Sequence, residues 1–165
     1  MPTVFTSFPR LSYSCRCLQC VIEGCGPNFN SFVDRELLTL IETTLTHTNR
    51  FVRETGYYVC AALVGCNRDA DGSVRVSLER NMIFQHGDEF AQHLARGLAD
   101  NWSQVRLAAS TATRSFLAGL DGGDARENFY ELLLPPLCLN RCERVHSEPY
   151  FFSMLVFRAK ERKHE

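Results

Sequence analysis

Apolar residues recur every three to four positions along most of this chain, and two stretches share one register. Leu37, Ile41 and Leu45 align with Phe90, Leu94 and Leu98 at an offset of 53 residues. The same offset carries Val52-Arg53 onto Val105-Arg106, each pair opening a second apolar run. A partial third copy supplies Phe129, Leu133 and Leu137 at the same spacing. Spacing of i, i+4, i+8 puts each triplet on one helical face. A unit repeated in this way cannot bury its stripe alone, so the pattern predicts helix pairs stacked on one another.

The individual elements follow from the same periodicity. Residues 1–9 read as irregular, with Pro2 and Pro9 as breakers. Leu11, Cys15, Leu18 and Ile22 then predict a helix over 10–24, stopped by Gly24 and Gly26-Pro27. It reads as the second helix of a repeat. A first hairpin is predicted over 31–66. Its first helix spans 31–47, capped by Asn30 or Ser31, and its second runs through 50–66. Gly56 inside the second helix costs about 1 kcal/mol against Ala unless a close contact uses the space. Residues 67–86 read as an inserted loop, in which Val74, Val76 and Leu78 alternate like a short strand or an extended arm. A second hairpin covers 88–118 as helices 88–99 and 102–118. A third, partial one covers 124–141, opening on a capping box of Asp124 and Glu127 and broken at Pro135-Pro136. Residues 142–165 do not repeat the second helix and form an atypical C-terminal segment, with Tyr150–Phe157 strongly apolar.

Composition narrows the class. The chain has 165 residues, enough for about one domain, and 45% of them are apolar. The formal net charge of −1 disfavours a general polyanion binder, so no nucleic-acid partner is expected. No apolar run is long enough to span a bilayer, and no membrane partner is expected. The first fourteen residues lack the layout of a secretory signal, so the eight cysteines are expected as reduced thiols in the cytoplasm, with the nucleus as the alternative.

The aligned stripes and the recurring Val-Arg resemble the HEAT and armadillo families of helical repeats, over residues 31–66 and 88–141. The resemblance implies an all-α fold: an α-solenoid of two to three stacked antiparallel helix hairpins within a domain spanning 10–141. It also implies a protein-binding scaffold or adaptor without catalysis or cofactor, working within a larger assembly. In HEAT repeats an aspartate ending the first helix often meets an arginine on the second, and such pairs can stack into a ladder. Asp100 and Arg106 hold those places in the second copy. In the first, Arg53 is present but His47 and Thr48 stand where the acid belongs, which leaves a ladder there open.

Candidate chemistry is sparse. Cys15, Cys17, Cys20 and Cys25 could offer four thiolates to zinc, which makes a small metal-binding or redox module the alternative function. Their spacing lacks two well-separated ligand pairs, and packing thiols are the favoured reading. Asn67, Asp69, Asp71 and Gly72 match the start of a calcium loop, but Leu78 stands where a bidentate Glu is needed, so a solvated loop is favoured. Neither phosphate loop nor nucleophile elbow occurs. For partner binding the candidates are Trp102, Arg106 and Arg114. The two arginines lie eight apart on one helix, within reach of an acidic peptide, although a solvated face or a pair with Asp100 is favoured over that role. Trp102 serves equally well as an interface anchor or as turn packing.

Overall fold

The computed structural model describes residues 8–66, 82–120 and 123–142. Among them there are helices and no strand. The order is α1 (Phe8–Cys25), a 3-10 segment (Gly26–Phe32), α2 (Arg35–Leu45), α3 (Arg50–Gly65), α4 (Met82–Gln85), α5 (Gly87–Leu98), α6 (Ser103–Gly119) and α7 (Gly123–Cys142). The expected strand at 74–78, the calcium-like loop and the segment 143–165 lie outside the described residues.

Helix α3 is the centre of the molecule. It packs on α1 and on α6, and also on α2, which precedes it in the chain. Helix α5 packs on α6 and α7, and more lightly on α2. The helices therefore meet along two rows, α1–α3–α6 and α2–α5–α7, with α2/α3 and α5/α6 as the linked pairs. Buried side chains form one cluster between these rows, running from Cys15 and Ile22 at one end to Phe116 and Leu133 at the other.

Four corrections to the sequence expectations have local causes. The first helix of the first hairpin starts at Arg35, after the 3-10 segment, and its cap is Asp34, whose carboxylate accepts from the Leu37 N–H at 2.8 Å. Asn30 and Ser31 lie inside the 3-10 segment, three and more residues before Asp34, where their side chains donate to the carbonyls of Pro27 and Asn28. Residues 82–85, expected as loop, form a helical turn. Ile83 is buried there, and Phe84 stacks on Phe116 with centroids 5.6 Å apart. Helix α7 begins at Gly123, one residue before Asp124 could act as its cap. It also runs through Pro135 and Pro136 without a break. Those prolines remove the donors for the carbonyls of Glu131 and Leu132, and both residues are exposed, so water can replace the missing bonds.

Gly56 does occupy a close contact. A Cβ there would lie 2.5 Å from Thr44 Oγ1 and 3.0 Å from Leu45 Cδ2, so glycine lets α3 lie directly on α2. Gly26, at φ +53°, takes the left-handed turn that ends α1.

Candidate functional site

The two inter-helix turns are built on the same plan, 53 residues apart. Arg53 Nη1 donates to the carbonyls of His47 and Thr48 at 2.8 and 3.0 Å. Arg106 Nη1 donates to those of Asp100 and Asn101 at 2.8 and 3.2 Å. Each arginine thus satisfies carbonyls left open where the preceding helix ends. The Asp100 carboxylate does not stay within its own hairpin. Its Oδ2 accepts from Arg53 Nε at 2.8 Å and its Oδ1 from Arg53 Nη2 at 3.1 Å, a two-point pair that ties the second hairpin to the first. The two side chains are 17% and 12% exposed.

The missing acid of the first copy therefore does not leave Arg53 without a carboxylate, because the next copy supplies it. The acid's local task is also filled. Asp100 Oδ1 accepts from the Trp102 N–H at 2.9 Å, and His47 Nδ1 accepts from the Asn49 N–H at 3.0 Å in the equivalent place. Sequence reasoning missed this role of His47, since it looked for a charge where an acceptor was enough. Burial alone would raise the Asp100 carboxyl. The bonds from Arg53 and the Trp102 N–H, with the charges of Arg53 and Arg106, outweigh it and hold the group below its ordinary value.

The structure does not bring Trp102, Arg106 and Arg114 together. Arg106 belongs to the turn. Trp102 lies at the same edge, 48% exposed, with the Arg50 guanidinium 3.7 Å from its ring centroid. Arg50 also lies 4.7 Å from the exposed Phe51 ring. Arg114 is exposed farther along α6. It stands one turn beyond Thr111, which lines an open groove of about 390 Å³ together with Gln19, Glu23, Tyr58 and Cys66. The groove runs across α1, α3 and α6. By the 53-residue offset Thr111 is equivalent to Tyr58 and Arg114 to Ala61, and Tyr58, Ala61 and Thr111 all line the groove.

The four N-terminal cysteines do not converge. Cys15 is buried, whereas Cys17, Cys20 and Cys25 are exposed. Among the described residues, no three His, Cys, Asp or Glu side chains group in a way that could hold a metal. Burial pushes the Cys15 and Cys60 thiols up, and raises Cys66 to about 11, away from the reactive thiolate form.

A different inter-hairpin contact carried no sequence signal. Tyr57 of α3 reaches across to α5, where its hydroxyl donates to the His93 carbonyl at 2.8 Å. Gly97 makes room, since a Cβ there would overlap the Tyr57 ring. Burial raises the Tyr57 hydroxyl well above its usual range, so it stays a donor.

Comparison with family models, with curated proteins and with solved structures finds no match for this chain.

Proposed function

We propose that this chain is a short stack of HEAT- or armadillo-like hairpins, and that it works in the cytoplasm as a non-catalytic scaffold within a larger assembly. The observation that carries the reading is the shared construction of the two turns. Arg53 and Arg106 cap equivalent carbonyls, and Asp100 links one hairpin to the next. A bond that joins neighbouring copies of one unit suits an array extended by stacking. The helix rows α1–α3–α6 and α2–α5–α7 fit the two layers of such an array. The net charge of −1 favours a protein partner over a polyanion.

The groove across α1, α3 and α6 is the binding face on this reading, with Arg114 at its border and Tyr58 in its wall. Arg106, held at the turn, supports the face without belonging to it, and Trp102 offers a second contact at the turn edge. A partner captured by the tagged chain, then purified, tests the reading by titration calorimetry. Arg114→Glu should weaken its binding at least tenfold while far-UV circular dichroism stays unchanged. Wild-type affinity in both Arg114→Glu and Tyr58→Ala would remove the groove from the interface. A purified chain that turns over a substrate would overturn the non-catalytic reading.

A further inference from the structure

We propose that the outward face of α1 is a self-association surface, on which two copies of this chain pair through antiparallel α1 helices. Helix α1 turns Cys15, Leu18 and Ile22 towards α3. Tyr13, Cys17, Cys20 and Gly24 lie on the opposite face, at intervals of four, three and four residues, the spacing of a helix-pairing seam. Tyr13 is 72% exposed and the neighbouring Val21 52%; Cys17, Cys20 and Gly24 are exposed as well. No charged residue interrupts the stripe, and a Cβ built on Gly24 would meet nothing within 4 Å.

Size and charge single out a second copy as the occupant. A two-fold axis crossing between Leu18 and Gln19 sets Tyr13 against the partner's Gly24 and Cys17 against the partner's Cys20. Large thus meets small at both ends, with two thiol pairs at the centre. Parallel pairing would instead oppose tyrosine to tyrosine and leave a gap between glycines. Arg16 and Glu23 are seven residues apart, on one flank of the seam beside the groove, and both are exposed; the Arg16 guanidinium lies 4.6 Å from the Tyr58 ring centroid and would have to swing outward to meet a partner. Antiparallel pairing brings Arg16 beside the partner's Glu23, and does so twice by symmetry. Gln19 bonds both groups within one chain, to Arg16 at 3.1 Å and Glu23 at 2.8 Å, and holds them along that flank. The surface lies on the side of α1 away from α3 and would continue the α6–α3–α1 row, so pairing would leave the packing on α3 intact.

The test uses the full chain with Cys25→Ser, carrying in addition either Cys17→Ser or Cys20→Ser. Both substitutions are on an exposed helix face, and circular dichroism first confirms equal helicity. Each variant alone, and their mixture, is treated with dibromobimane, which bridges two nearby thiols. In the mixture a Cys20 meets the partner's Cys17, so covalent dimer should form several-fold more than in either variant alone. Adding Tyr13→Glu to both chains should bring the mixture back to the level of the separate samples. A mixture that yields no more dimer than the separate variants, including none, overturns the proposal.

Discussion

Asp100 shows how much one side chain can hold in this molecule. It joins two hairpins, accepts from the Trp102 N–H, and has its carboxyl held below the ordinary value by those contacts. Asp100→Asn keeps the shape but removes the charge that Arg53 meets while only part exposed. Charged hydrogen bonds of this kind contribute about 1.5–3 kcal/mol, and chemical denaturation should register a loss in that range. The pH dependence follows from the depressed carboxyl. Its contribution is present above the unfolded value of about 4 and is lost as pH falls through the lower folded value. Wild type should therefore lose stability towards Asp100→Asn below pH 4, and an unchanged difference there would contradict the role of the pair. Gly97 makes the complementary case. Gly97→Ala would force a methyl group into the Tyr57 ring, at a cost of about 1–3 kcal/mol. In a Tyr57→Leu background the penalty should largely vanish, which a double-mutant cycle by urea denaturation measures.

At the scale of elements, α7 makes the clearest prediction. Pro135 and Pro136 lie inside a continuous helix, where each proline costs about 3 kcal/mol against Ala. The carbonyls they leave without donors belong to exposed residues, so the replacements regain helical bonds without disturbing the core. Pro135→Ala/Pro136→Ala should raise the thermal midpoint by several degrees; a fall would mean that the proline rings pack usefully. The same helix marks where the sequence was legible. Its stripe of Phe129, Leu133 and Leu137 was visible, and all three residues pack against the core. Its continuity was not, because a proline rule takes no account of solvent beside a carbonyl. The ends of α3, α5 and α6 fell within a residue of expectation, since strong periodicity and flanking turns agree there. The start of α2 did not, because Asn30 and Ser31 look like caps until the 3-10 segment is seen to occupy those positions and to leave the cap to Asp34. At the candidate site the recurring arginines were legible. Their pairing was not, as it depends on which hairpin lies beside which.

The molecule as a whole can be tested for its response to damage at one end. Helix α1 packs on α3 and the 3-10 segment, and α7 packs at the other end, on α5 and α6. If stability is a sum of neighbour contacts, damage at one end should not reach the other. Buried thiols report on this directly. Cys15 on α1 and Cys60 on α3 are enclosed, and burial disfavours their reactive form, so a thiol reagent must wait for local opening. Exposed Cys25, outside the α1 seam, should react at once. Ile22→Ala empties a fully buried position on α1, at a cost of about 2–5 kcal/mol. It should speed Cys15 labelling at least tenfold, and Cys60 labelling less, because α6 still covers α3. Leu133→Ala empties an equally buried position on α7 and should leave the Cys15 rate within about twofold of wild type. Equal acceleration of Cys15 by both variants would mean that the chain opens as a single cooperative unit. In that case the helix rows would be a packing arrangement only, and the energetic argument for a stacked array would fail with them.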